Sequence, residues 1–387
     1  MQAIRIVNSI DKIKKEAWDA LIEDNPFACH GWLKTVEEAF IEDMRPQYIL
    51  FEDAESLAGA IVCYYQKKSD TVETLDDLLF GRLMRPLSRL GMSFLPALIC
   101  CPYRCYGQHF LISKGLEPGQ KELIMRELLR AVEQAGAGEN LPLAFPNVMD
   151  KEEMLVRLLK EKGYHRAAHM PLSYLDIEWT SFTEYINHVK CFGKGTNKAI
   201  NNEINRNRKE GVTISIMECP KEHEGRLYAL LNDNYLRYNQ RPFMFKMPFI
   251  TKLKEYLGKD VLFYVSLKKG IITGVSILMK RQKTGYGFIL GVDHEMAGND
   301  FTYFNIAYYR PIMDAISEGM TRLHFGTAMY ESKISRGCKM DNISFYYKPF
   351  HRLNNIPTKF WFTVFSSWMK YKLPKAVRKN FTLKSTS

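Results

Sequence analysis

The 387 residues are 46% hydrophobic and 25% charged, a balance that excludes a disordered chain and suits two globular domains better than one. Lys and Arg number 54 against 43 Asp and Glu, a net of +11, and the excess is unevenly placed: residues 1–180 carry 21 against 27, the remainder 33 against 16. A second half at +17 beside a first half at −6 suits a polyanionic partner such as coenzyme A, an acidic carrier protein, tRNA or an anionic membrane surface; a solvated basic face is the plainer alternative.

The N-terminus lacks the apolar run of a signal peptide, and nowhere does the sequence approach the ~18 uninterrupted apolar residues of a membrane span. The longest apolar stretch, Leu90–Cys101, is broken by Pro96. A cytoplasmic protein is expected. Asn25–Trp32 reads as a turn followed by a helix start, with Trp32 either buried or lining an acceptor pocket. Pro46–Lys68 alternates like a β-hairpin. Cys100, Cys101 and Cys105 fall close together, but no second Cys or His pair stands at matching spacing, so buried thiols are expected rather than a metal site. Helices are predicted over Gln120–Ala135 and Lys151–Lys162, on either side of a short apolar run, Leu141–Phe145.

A joint is expected near Asp176–Ser181, where Ser181 and Glu184 have the spacing of a capping box. Beyond it, Gly193–Ile216 predicts a helix closed by Gly211 and then a strand. Ile200 and Ile204 form only a thin apolar stripe, while Lys194, Lys198, Arg206, Arg208 and Lys209 crowd the rest. Such a helix buries little; either it holds a ligand phosphate or it is a solvated face. Lys259–Asp293 contains three strand-like runs, with turns expected at Lys268-Lys269-Gly270 and Thr284-Gly285. A helix over Tyr303–Glu318, a strand over Arg322–Phe325 and a polar loop carrying Tyr330, Glu331 and Lys333 follow. The tail, Lys359–Phe381, alternates aromatic and basic residues. It reads as a helix docked on an apolar face, since Pro374 breaks the pattern, with an interfacial membrane helix as the alternative.

Two segments together carry a family resemblance. Arg208-Lys209-Glu210-Gly211-Val212 is similar to the basic helix end that precedes a strand in the Fem-like branch of the GNAT acyltransferase superfamily. Gly319, Phe325-Gly326, Lys333 and Gly337 resemble that branch's later G…FG…K…G pattern. The likeness covers roughly residues 180–348. It implies an α/β protein of two GNAT-like domains, each a mixed, largely antiparallel sheet flanked by helices. The expected division is an N-terminal domain over 1–178, a catalytic domain over 179–355 and a basic aromatic tail over 356–387.

The resemblance further implies transfer of an acyl group to an amine, with Lys333 as the motif lysine, stabilising charge or orienting a phosphate. Tyr330 is a candidate proton donor, and Asp293 a candidate base if a pocket raises its pKa, with a turn role as its alternative. The basic helix would hold the donor, while Tyr303, Arg310 and Trp32 would line the acceptor site. No permanently bound cofactor is expected; the co-substrate would be acyl-CoA, acyl-carrier protein or aminoacyl-tRNA. The sequence lacks a [QR]-x-x-G-x-[GA] pyrophosphate loop, which argues against acetyl-CoA itself and leaves larger donors open. A thioester-dependent N-acyltransferase acting on an amino acid, peptide or amino sugar is the first expectation. An aminoacyl-tRNA-dependent enzyme acting on a cell-wall amine is the second, and a non-catalytic binding protein the third.

Overall fold

The computed structural model describes residues 3–42, 44–53, 56–80 and 93–378. The chain folds as two units, Leu172–Met340 being one and Met1–Pro171 with Asp341–Ser387 the other. Both are mixed, largely antiparallel sheets flanked by helices, as expected.

The first unit opens with β1 (Ala3–Val7), β2 (Pro46–Asp53) and β3 (Ser56–Gln66), an antiparallel meander whose last two strands are the expected hairpin. β4 (Ala97–Ile99) and β5 (Phe110–Ile112) both lie along β3, one at each end. Helix Pro118–Gly138 then crosses the sheet. Proline fits its first turn because the missing N–H would have no helical partner, and Glu117 and Gln120 cap one another's backbone. It lays Ile124, Leu128, Leu129 and Val132 onto Ile49, Ile61 and Leu98, and each such side chain contributes about 1.5–3 kcal/mol on full burial. β6 (Leu143–Met149), helix Glu153–Glu161 and β7 (His165–Ala168) complete this part of the chain.

The second unit runs β8 (Leu172–Asp176), helix Phe182–His188, the basic helix Thr196–Lys209 and β9 (Val212–Ile216). β10 (Val261–Lys268), β11 (Ile271–Arg281) and β12 (Thr284–Val292) form the expected meander; β13 (Arg322–Gly326) and β14 (Lys339–Asp341) follow. Its sheet order is β14-β8-β13-β12-β11-β10-β9. The β10–β11 turn sits at Lys269-Gly270, both at positive φ, as the sequence predicts. The next turn is two residues earlier than expected: Gln282 and Lys283 make it, and Thr284 and Gly285 already pair with Arg281 and Lys280. Ser181 caps its helix by accepting from Glu184 N, and the Glu184 carboxylate in turn accepts from Thr180 N.

β15 (Ile343–Lys348) returns to the first sheet, antiparallel to both β6 and β7, giving the order β1-β2-β3-β4-β6-β15-β7. The division therefore differs from the expected one. The boundary lies at Pro171/Leu172, and residues 341–355 belong with the first unit because β15 fills the gap between β6 and β7. The tail helix, Asn355–Lys372, docks there too. Phe362, Phe365 and Met369 pack with Leu79, Phe94 and Phe345, and Ser366 Oγ accepts from Ala168 N at 2.9 Å. Of the two apolar stretches singled out in the sequence, residues 90–92 and 379–381 lie outside the described residues. Among the described residues no helix is long and apolar enough to cross a membrane, and no cluster of His, Cys, Asp or Glu is placed to hold a metal.

Candidate active site

β12 and β13 run parallel, yet they pair only over Thr284–Tyr286 and Arg322–His324. Past that point each strand carries an extra residue. Phe288 has no partner on β11, because Ile277 faces Ile289 and Leu278 faces Gly287. Phe325 has none on β8, where His324 faces Tyr174 and Gly326 faces Ser173. Bulges bend strands and sharpen their twist, so two of them just beyond the last parallel pair set the strands apart. The rings of Tyr286 and His324 stack 4.2 Å apart at the crotch of this fork.

The bulge at Phe325 turns a backbone carbonyl out of the ladder, and Lys333 meets it. Its Nζ donates to Phe325 O at 2.6 Å and to Gly326 O at 3.1 Å. Lys333 does not sit in a polar loop, as the sequence suggested, but in a short helix, Tyr330–Ser335, which also buries Tyr330. The turn between Gly326 and that helix passes through Ala328 at φ +107°, a strained value for a residue with a Cβ. Lys333 is only 3% exposed, and burial pulls its pKa down to about 8. Two of its three N–H donors face carbonyls.

A polar network fixes the surroundings. Arg336 Nη2 donates to Glu203 Oε2 at 2.8 Å and to Tyr309 Oη at 2.7 Å, while Tyr309 donates to Glu203. The guanidinium lies 4.4 Å from the Phe304 ring centroid. Tyr309 ends a π-turn, Asn305–Tyr309, inside the helical stretch Thr302–Ser317. Such bulges gather at functional sites because they re-aim the side chains of one turn. Asn305 and Tyr309 both point at Glu203 of the basic helix, and Asn207 Nδ2 donates to Asp300 O at 2.9 Å. Glu203, Asn207 and Ile200 therefore anchor that helix, while Lys194, Lys198, Arg206, Arg208 and Lys209 stay exposed.

The remaining expected site residues divide. Tyr303 is half-buried, its ring 6.4 Å from that of Tyr308. Arg310 is spent on structure, bonding Asp314 at 2.9 Å and Ile214 O at 3.4 Å. Asp293 is a helix cap: it accepts from Met296 N at 3.1 Å and from Arg226 at 2.8 Å. The Arg226 bond holds its pKa below the carboxylate range, the reverse of what a general base requires. Trp32 is wholly buried in the first unit, its Nε1 donating to Tyr103 O at 2.9 Å, so it offers no acceptor surface. Sequence reasoning missed Glu203, Arg336 and Asn207. The signal was a lone acidic residue and an Asn on the apolar side of a very basic helix.

The first unit has a fork of its own, since β4 pairs with β6 only at Leu98–Leu143 and Ile99–Ala144. There the chain fills the opening. Asn147 Nδ2 donates to Cys105 O, Gly107 N to Asn147 O, and His109 lies between Glu152 and Pro146 O, at 3.0 and 2.6 Å. Both ring nitrogens of His109 face acceptors, which requires the imidazolium. Burial opposes that charge, but the carboxylate and carbonyl outweigh it and raise the pKa. Cys100, Cys101 and Cys105 are buried, and burial pushes the first two thiols upward.

Two sheets, each with a meander, a crossing helix and a parallel strand that forks away, define a tandem GNAT-like fold. The family model FemAB-like, described as peptidoglycan biosynthesis/recognition, matches residues 9–363, and the chain belongs to that family. Among solved structures FemX is similar, at 11% identity and a TM-score of 0.58, over 91% of this chain and 99% of its own. A conserved protein of unknown function from Bacteroides thetaiotaomicron matches at 11% identity and 0.51, over 89% and 100%. The L-PGS of Bacillus licheniformis matches at 14% and 0.50, over 82% and 88%. Likeness at these identities concerns the fold alone. Comparison with curated proteins gives no significant match.

Proposed function

We propose that this chain is a transferase that moves an activated acyl or aminoacyl group onto an amine at the fork of the second unit. The observation that carries this reading is Lys333, a buried ammonium held on the carbonyls where β13 bulges away from β8. In the reaction the amine attacks the acyl carbonyl, a C–N bond forms, and the bond to the leaving sulfur or oxygen breaks. The amine gives up a proton and the leaving group takes one. A fixed positive charge in a dry site stabilises the intervening oxyanion. Lys333 would supply it, and Tyr330, one turn away on the same helix, would give the leaving group its proton. The exposed cations of helix Thr196–Lys209 would hold an anionic donor, and Tyr303 would face the acceptor. The family's description favours a peptide-like or amino-sugar acceptor.

A thioester, acyl-CoA or acyl-carrier protein, is the first donor reading. Aminoacyl-tRNA is the second, favoured by the length of the exposed basic helix and the lack of a pyrophosphate loop. Titrating the protein with acyl-CoAs, charged tRNA and uncharged tRNA at low and moderate salt separates them. Saturable acyl-CoA binding that weakens in Lys333→Ala supports the thioester donor; preference for charged over uncharged tRNA supports the other. Binding of neither would leave the carrier protein or a non-catalytic binder.

A further inference from the structure

The tail helix has two apolar faces, and its docking uses one. Phe362, Phe365 and Met369 point into the first unit. On the other side Ile356 is 81% exposed, Phe360 70%, Val364 42% and Tyr371 76%, with Leu353 at 90% in the turn just before. At about 100° per residue these positions share one narrow strip, roughly opposite the buried one. Single exposed apolar residues need no explanation, but several gathered on one helix face, here interrupted only by Ser367 among the described residues and rimmed by polar groups, mark a docking surface.

Charge identifies the occupant. From Asn342 onward the sequence has nine Lys or Arg and not one Asp or Glu. Lys359 and Lys370 flank the stripe on one side and Lys372 on the other, its Nζ 3.7 Å from the Trp368 ring centroid. Past Pro374 the chain folds back, with Arg378 Nη2 donating to Tyr371 O at 2.6 Å, which brings more positive charge beside the strip. A second copy placed on this face about a two-fold axis would set lysines against lysines, and the helix itself carries no carboxylate to relieve them. A bilayer surface of anionic lipid meets both demands, accepting aromatic and aliphatic side chains at the acyl boundary and basic ones at the headgroups.

We infer that helix Asn355–Lys372 lays its outer face on anionic lipid and holds this protein at a membrane surface while its inner face stays docked. This contact is independent of the transfer chemistry proposed for the second unit. The test is co-sedimentation of the full chain with vesicles of phosphatidylcholine alone and of phosphatidylcholine mixed with phosphatidylglycerol. Binding is expected only to the mixed vesicles, and it should weaken as salt rises. Neutralising Lys359 and Lys370 to Gln should lower partitioning by roughly fivefold for each lysine. Ile356→Ser with Phe360→Ser should abolish it. Ile356, Lys359 and Phe360 are exposed and Lys370 is half-buried, so thermal unfolding should change little; if the serine pair does unfold, the glutamine pair still decides. Equal binding to both vesicle types, or none, overturns the inference. So does a concentration-dependent dimer, seen by sedimentation velocity, that Phe360→Ser abolishes.

Discussion

Arg336 and Glu203 lie 2.8 Å apart, one at the end of the short helix that carries Lys333 and the other on the basic helix. Both are mostly buried, so neither charge has water to fall back on. Glu203→Gln should leave the guanidinium without a counter-charge and destabilise the second unit by about 3 kcal/mol, since the loss of one partner of a buried pair costs far more than the pair is worth. Urea unfolding checks this; a loss within experimental error would mean that the network is incidental.

Lys333→Met keeps most of the stem's packing and removes the ammonium. If the charge stabilises an oxyanion, transfer should fall by about 100-fold or more. A pH profile adds a second readout. Because burial lowers the pKa to about 8, the ammonium is lost as pH rises through that value. The wild-type rate should therefore fall on the alkaline side, and the residual rate of Lys333→Met should lack that limb.

Lys198→Glu with Arg206→Glu reverses two exposed charges on a helix whose buried contacts run through Ile200, Glu203 and Asn207. Stability should move by no more than about 0.5 kcal/mol. Donor affinity should drop by about tenfold at low salt and the difference should shrink as salt screens it. An equal affinity in the variant would place the donor elsewhere.

Asp293→Asn separates a cap from a base. The Arg226 contact, stripped of its charge, and the weakened cap should cost about 1 kcal/mol while the transfer rate stays within about threefold. A loss of several orders of magnitude would restore Asp293 to the chemistry.

The His109–Glu152 pair predicts a pH optimum for the first unit. The histidine's raised pKa gives stability that is complete below the unfolded value of about 6.5 and is lost as pH climbs through the folded one. The carboxylate's lowered pKa gives stability present above about 4.5 and lost in stronger acid. Thermal unfolding should therefore peak between those values and decline as pH rises through the histidine's raised pKa, and His109→Gln should flatten the decline.

Periodicity made the meanders, the crossing helices and the docked tail legible, because each of those elements buries one face against its own neighbours. The basic helix was legible as a helix that buries little. Less was legible where a residue's role depends on distant chain. Nothing local says that β15 will leave its sequence neighbours for β6 and β7, since a run such as Ile343–Lys348 pairs with whichever edge is open. Lys333 could be singled out but not placed, because the bulge at Phe325 that gives it a partner depends on the register with β8. Trp32 and Arg310 could be singled out but not assigned, for a shared reason: an aromatic or a guanidinium reads the same whether it meets a ligand or its own backbone. The π-turn has no sequence mark at all.

The route of β15 also bears on synthesis. A ribosome delivers residues 1–171 first, yet β6 and β7 then stand with a strand-wide gap between them until residue 348 has emerged. The second unit, by contrast, is a continuous stretch complete at Met340. The usual order, in which the leading domain folds first, is therefore reversed here. The half-built leading sheet offers two unsatisfied strand edges for as long as it waits, and a chain stopped just after Met340 would keep them permanently, as a template for aggregation.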